Sequence, residues 1–417
     1  MLFIQDPSYK NSMYLHETLL SECINSIKGG GAYAFATKDG INMLLTDENF
    51  KIFLTKGVYT LIVGTDDITN EHAVNALIEL KQKYGKHLVV KAYIHKNKGS
   101  TFHPKFSWFQ KKDGGSLVLG SGNLTQKGLR HNREAYSVIQ HTTDEMEKVV
   151  AEWEEWYTHS APFLFDIDDP IVMIRAKQNT EQTRAVSEAK ASVRKEIAHS
   201  QANDELASVY ENQPQDPKRV KIATPKKTSN ISVKKEQEVP TTQVVITDED
   251  VDIDASYWSI TDESDVLIAE IPKSGDRWKQ ANFDKNTFEN YFGATCGENG
   301  AYRILLKSVN LDGSMCETEI RPSVSVASQN YRFELEAANG LSYPTGSNRP
   351  IAVFARVSQR DFVYTLLMPG STGYDETLTF MAKKQKPSAR MRRLTYIAKD
   401  VLTDVPMLSI WKRLNKG

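Results

Sequence analysis

The chain has 417 residues, 25% of them charged, and a formal net charge of −1, so it exceeds one typical core and shows no global charge bias toward nucleic acid. Its three cysteines (Cys23, Cys296, Cys316) lack any C-x-x-C spacing, which excludes a disulfide framework and a zinc knuckle and suits a reducing cytoplasm. No run of about 18 apolar residues occurs, so no membrane span is expected, and the first residues lack the basic start of a secretion signal.

In chain order, Leu15 to Ile27 has helical spacing and is expected to be closed by Gly29-Gly30-Gly31. Ala32 to Thr37 reads as a strand, Gly40 to Leu45 as another strand and Asn49 to Leu54 as a short helix. Val58 to Gly64 is strand-like, and Asp66 and Asp67 follow it in a loop. Carboxylates in such a place more often cap the next helix than bind a metal. That helix runs from His72 to Tyr84, with Ala73, Leu77 and Leu80 on one stripe, and the strand Leu88 to Ile94 follows. Strands alternating with helices imply an α/β sandwich containing a mixed sheet.

The next segment carries chemistry. Thr101 to Gln110 reads as a strand, Lys111-Lys112-Asp113-Gly114-Gly115 as a hairpin turn, and Ser116 to Gly120 as the returning strand. His103 and Lys105 are two residues apart and share a face, while Phe102, Phe106 and Trp108 point into a core. Asn123 lies beyond the returning strand, in the turn Gly120-Ser121-Gly122-Asn123, where backbone and amide approach an anion closely. Leu124 to Leu129 opens a short turn or helix, and Glu134 to Gln140 is a third strand. Taken singly, each of these residues is an ordinary structural group. Together, an imidazole, an ammonium and an amide around one small volume suit covalent attack on a phosphodiester, with no metal ligand required.

Glu145 to Trp156 reads as a helix that closes the first domain, placed at residues 1–172. Residues 173–243 form a helical, then basic and flexible linker, with Lys218, Arg219, Lys221, Lys226, Lys227, Lys234 and Lys235 among Pro, Ser and Thr. Residues 244–417 show short β-rich stretches separated by turn signals, as in a small all-β barrel or sandwich. Two clusters there suit DNA. Lys273, Ser274, Arg277, Trp278, Lys279, Gln280 and Asn282 mix cations, amides and an aromatic in one loop, and Gln329, Asn330 and Arg332 do so at a strand entrance. Arg, Asn and Gln read base edges, and Lys and Ser suit phosphates; each cluster taken alone equally suits a polar surface loop. The basic stretch Lys383 to Arg393 either adds phosphate contacts or solvates a helix.

His103-x-Lys105 followed by Gly120-Ser121-x-Asn123 resembles the HKD motif of the phospholipase D superfamily. The family's Asp, five residues after the Lys, is here Gln110; Asp113 either replaces it across a longer hairpin or serves only as the turn residue. Asn132-Arg133-Glu134-Ala135-Tyr136 resembles the stretch after the motif in restriction endonucleases of the BfiI and NgoFVII type. The resemblance implies that His103 is the nucleophile, that Lys105 and Asn123 hold the non-bridging oxygens, that Ser121 donates to an oxygen or the ring, and that Glu134 supports His103. The motif occurs once, and one-motif members take their second histidine from a dimer mate, so a homodimer is implied. The same resemblance implies a C-terminal pseudobarrel of the plant B3 type that grips double-stranded DNA, with Arg277-Trp278, Asn330-Tyr331-Arg332, Tyr343-Pro344 and Arg349-Pro350 in its likeness. It also admits a helicase-like ATPase and a cognate DNA methyltransferase as partners. The chain has no G-x-x-x-x-G-K-[ST] loop, so ATP would enter only through such an ATPase. The expected activity is a sequence-specific, metal-independent restriction endonuclease. The alternatives are a phospholipase D-like lipid phosphodiesterase or phosphatidyl transferase, and a non-cleaving DNA-binding recruitment module.

Overall fold

The computed structural model describes residues 1–9, 12–96, 99–199, 257–273, 278–294, 302–322, 331–345, 348–385 and 391–415. The chain divides into two compact units, Met1–Asp216 and Pro217–Gly417. The linker's basic run lies outside the described residues.

Gly29, Gly30 and Gly31 do not close a helix. Helix α1 (Leu15–Glu22) ends at Cys23, and the glycines lie inside strand β2 (Lys28–Tyr33). A Cβ on Gly30 would sit 2.7 Å from the Trp108 indole nitrogen, and one on Gly29 would sit 3.0 Å from Trp108 O. Bare backbone lets the rings of the neighbouring strands close over β2.

The first sheet has the order β1 (Leu2–Gln5), β7 (Glu134–His141), β6 (Gly114–Gly120), β5 (Lys105–Lys111), β2, β3 (Val58–Gly64), β4 (Leu88–Tyr93) and β8 (Leu164–Asp166). β2, β3 and β4 are parallel, while β1, β7, β6, β5 and β2 pair antiparallel in succession, so the sheet is mixed as expected. β5 and β6 join through Lys112 and Asp113, and Gly114 supplies φ +110°. Asp113 is exposed at this tip, the end of the hairpin away from His103, and is therefore the turn residue.

Helices cover both faces. On one, α5 (Thr143–His159) packs Met146 and Trp153 against Ala32, Ile62 and Trp108. On the other, α3 (Glu48–Leu54) sets Phe50 and Phe53 edge-on to Tyr59 and Phe109, with centroids 5.1–6.4 Å apart. Lys38–Leu45 is a helix, α2, where the sequence suggests a strand. Thr37 caps it by accepting from Gly40 N, and Ile41, Leu44 and Leu45 are buried at helical spacing. α4 (Glu71–Tyr84) packs against α2, β4 and α6 (Pro170–His199).

The second unit is mostly β, not all-β. Its six-stranded sheet runs β12 (Glu319–Pro322), β11 (Arg303–Ser308), β15 (Asp361–Leu367), β14 (Ile351–Arg356), β9 (Asp265–Glu270) and β16 (Arg393–Ile397), with β11 and β15 parallel. β10 (Gln280–Asn282) and β13 (Arg332–Glu334) form a separate ribbon. Helices α7 (Lys285–Asn290), α8 (Tyr374–Lys384) and α9 (Ala398–Asp404) accompany these strands. Phe283, Phe292, Phe333 and Phe354 pack edge-to-face in its core. The basic stretch splits: Lys383 and Lys384 end α8, whereas Arg392 is 2% exposed and donates to Glu270 at 2.9 and 3.1 Å. Arg392 therefore ties β9 to the chain before β16 instead of reaching solvent.

Candidate active site

Three neighbouring strands present the expected site residues. Lys105 opens β5, Ser121 and Asn123 follow β6, and Glu134 opens β7. Antiparallel pairing sets the starts of β5 and β7 beside the end of β6. His103 lies in an exposed loop, because the strand begins at Lys105 and not at Thr101. Pro104 has no N–H for a ladder, and the Phe102 N–H goes instead to Asp66 Oδ2 at 2.8 Å.

That contact also corrects the reading of Asp66. Asn70 caps α4, its Oδ1 accepting from Ala73 N at 3.0 Å. Asp66 faces the loop that carries His103 and also meets His95 Nε2 at 3.2 Å. Sequence reasoning missed this role, because a carboxylate five residues ahead of a helix gives the same signal as a cap.

Lys105 Nζ lies 3.0 Å from His103 Nδ1 and 3.2 Å from Nε2. An ammonium carries donors only, so a ring nitrogen that accepts from it presents its lone pair. The nitrogen that attacks phosphorus must be unprotonated and released from this contact. Burial holds the Lys105 pKa below the ordinary lysine value, and the nearby Glu134 carboxylate opposes that shift.

Glu134 is engaged elsewhere than the resemblance implies. One of its oxygens accepts from Ser121 Oγ, and the other accepts from Asn132 Nδ2 at 3.1 Å. Ser121 Oγ in turn accepts from Ala135 N at 3.1 Å. Among the described residues, neither Glu134 nor Ser121 hydrogen-bonds to His103. The carboxylate orients the Ser121 turn and acts on Lys105 through space.

Asn123 Oδ1 accepts from Phe35 N at 3.3 Å, which leaves the amide NH₂ as its donating end. The Phe35 ring meets His103 edge-on, with centroids 6.1 Å apart. Leu124 N donates to Phe35 O and Thr37 N to Leu124 O, both at 3.1 Å, so the continuation of β2 stitches the Asn123 loop to the His103 loop. The turn must be tight: a Cβ on Gly128 would stand 2.6 Å from Asn123 N. Phe35 thus links the Asn123 loop to the His103 loop, while Glu134, bonded to Ser121, acts on Lys105, which contacts His103. A nucleophilic nitrogen flanked by an ammonium and an amide suits a phosphoryl group whose charge grows as it reacts. His103 also stands on an open groove of about 1120 Å³ walled by Phe102, Trp108, Leu119, Trp153 and Trp156.

In the second unit, Ser274, Arg277, Gln329 and Asn330 lie outside the described residues. Lys273 is exposed. Trp278, expected on a DNA-facing loop, is 3% exposed and packs edge-on to Tyr343 at 5.6 Å, so it is a core residue. Lys279 Nζ donates to Asn339 Oδ1, and Gln280 Nε2 to Glu334 Oε1, both at 2.9 Å. The β10–β13 ribbon sets Asn282 opposite Arg332 and brings both near Gln280. Arg349 pairs with Glu270 at 3.1 Å, and Tyr343 donates to Ile271 O at 3.0 Å, so both brace β9.

No curated protein matches the chain. Among solved structures, it is similar to a phospholipase D family member, Nuc from Salmonella typhimurium, at 12% identity over 40% of this chain and 97% of that one (TM-score 0.30). NucT from Helicobacter pylori is similar at 14% identity over the same shares, with the same TM-score. The N-terminal domain of Helicobacter pylori LlaJI.R1 is similar at 11% identity over 32% of this chain and 98% of that one (TM-score 0.24). Residues 40–159, which include His103, Lys105, Ser121, Asn123 and Glu134, match the family model described as cardiolipin synthase, PLD-like domain, and the first unit accordingly has a PLD-like α/β fold with a mixed sheet.

Proposed function

We propose that the chain is a metal-independent endodeoxyribonuclease of the restriction type, cutting double-stranded DNA through a phosphohistidine on His103. The observation that carries this is the His103–Lys105 contact, on a loop stitched to the Asn123 loop inside a PLD-like match. An N–P bond forms to His103 as a P–O bond of the DNA breaks. The leaving oxygen takes a proton from a second histidine, which then removes a proton from water, and that water displaces His103 from phosphorus. Lys105 and Asn123 hold the non-bridging oxygens throughout.

The second histidine is His103 of another copy, which makes the enzyme a homodimer with one composite site. An apolar strip supports this. Leu2, Ile4, Leu119 and Ile139 share one face of β1, β7 and β6 and are 68%, 66%, 48% and 41% exposed. Leu119 also lines the groove at His103, so the strip reaches the site. In the second unit, Lys273, Lys279, Gln280, Asn282 and Arg332 are the described candidates for DNA contact, joined by Ser274, Arg277, Gln329 and Asn330. A helicase-like ATPase and a methyltransferase are partners of the same proposal.

Plasmid DNA incubated in excess EDTA tests it. The wild type should cleave, His103→Ala should not, and Asn123→Ala should cleave about 10²–10³-fold more slowly. Cleavage abolished by EDTA, or retained by His103→Ala, contradicts the proposal. One observation favours a second reading: the groove beside His103 is largely apolar and would take an acyl chain while a lipid phosphodiester reached the imidazole. Hydrolysis of a short-chain phosphatidylcholine without DNA cleavage would decide for the lipid.

A further inference from the structure

His103 sits on exposed loop backbone, yet an attacking atom must be held to a fraction of an ångström. Two hydrogen bonds bracket it. Pro104 O accepts from Ala34 N at 2.8 Å on one side, and Phe102 N donates to Asp66 Oδ2 at 2.8 Å on the other. The first contact comes from the chain just beyond β2. The second comes from a side chain just beyond the C-terminal end of β3.

Asp66 is itself fixed. The same Oδ2 meets His95 Nε2 at 3.2 Å, and the two side chains are only 16% and 11% exposed. Two donors converging on one oxygen leave the carboxylate little rotational freedom. Phe102 is clamped independently, its ring stacked on Tyr93 with centroids 4.2 Å apart at 12°. Gly64, at the end of β3, permits the approach, since a Cβ there would stand 2.9 Å from Phe102 Cδ1.

We infer that Asp66, oriented by His95, is a positioning residue that fixes the backbone immediately before His103 and so aims the nucleophile. This rests on the proposed phosphohistidine chemistry only for its consequence; the contact itself is testable without it. Asp66 touches no reacting atom. Its loss should leave DNA affinity unchanged and slow the chemical step, because a displacement of about 1 Å costs on the order of 10²-fold.

The experiment pairs two readouts on the full chain. Single-turnover cleavage of a DNA duplex is measured for wild type, Asp66→Ala, Asp66→Asn and His95→Ala, together with duplex affinity. Exchange of the Phe102 amide is followed by NMR in the same proteins. Asn keeps an oxygen that accepts from Phe102 N, so Asp66→Asn should retain amide protection and most of the rate. Asp66→Ala should lose both protection and about 10²-fold in single-turnover rate, with affinity unchanged. His95→Ala should fall between the two. Full Phe102 protection in Asp66→Ala, or wild-type chemistry after protection is lost, overturns the inference. A misfolded Ala variant would show as collapsed chemical-shift dispersion, and the Asn and His95 variants then decide through the same two readouts. A wild type that cleaves no DNA counts against the proposed activity, while the exchange readout still decides the contact.

Discussion

At the scale of single residues, the site depends on how Lys105 is charged. The ammonium faces the ring of His103, and burial pulls its pKa down while Glu134 pulls it up. Raising the pH removes the proton that Lys105 would offer to a phosphate oxygen. With its pKa below the ordinary lysine value, that loss starts at lower pH than for an exposed lysine, so the alkaline limb of kcat/KM should lie below about 10.4. Glu134→Gln removes the opposing charge and should move the limb further down. Lys105→Arg stays charged throughout and should be slower but without that limb. A limb that stays in place in both variants assigns it to another group. Glu134 thus acts on Lys105 and, through hydrogen bonds, on Ser121 and Asn132. The family pattern points to His103 instead, because spacing along a chain cannot say which neighbour a carboxylate turns to.

At the scale of elements, β2 shows most clearly what packing adds to pattern. Gly30 has the Trp108 ring where a side chain would stand, with three ring atoms 2.7–2.9 Å from an added Cβ. Gly30→Ala should destabilise the first unit by about 1–3 kcal/mol in urea unfolding, as overpacking in a closed core does. A midpoint equal to wild type would show that the ring yields freely. From sequence the glycine run reads as a helix stop, because local propensity knows nothing of Trp108, 78 residues away. β3 and the β5–β6 hairpin are legible for the opposite reason: their alternation and the Asp-Gly turn are local signals, and β3 runs Val58–Gly64 as expected. The β-rich stretches of the second unit are strands, but Gln280–Asn282 reads from sequence as loop, and β16 starts at Arg393, where the basic stretch ends. In Gln280–Asn282, polar residues mask a strand that pairing with β13 creates. Trp278 misleads in the same way, since its polar neighbours hide a core anchor. Lys105 and Glu134 open β5 and β7, Ser121 and Asn123 follow β6, and His103 precedes β5, positions that local strand and turn signals carry. Asp66 and Phe35 reach the site only through the fold.

At the scale of the whole molecule, the proposal turns on His103-x-Lys105 with Gly120-Ser121-x-Asn123 occurring once in the chain. In the proposed mechanism one chain provides a nucleophile and two phosphate-binding groups, and the two-step displacement also needs a proton donor for the leaving oxygen. In the proposed homodimer a second copy supplies it, with the exposed strip of Leu2, Ile4, Leu119 and Ile139 as the face that meets its mate. A composite site has room for one phosphoryl group, so only one of the two His103 side chains can be occupied at a time. The most direct test is to quench turnover of radiolabelled duplex in excess EDTA, map the covalently held label and count it per chain. Label is expected on His103, at no more than one per two chains. Label on another residue, one label on every chain, or no covalent label under conditions where cleavage proceeds would contradict a shared phosphohistidine site.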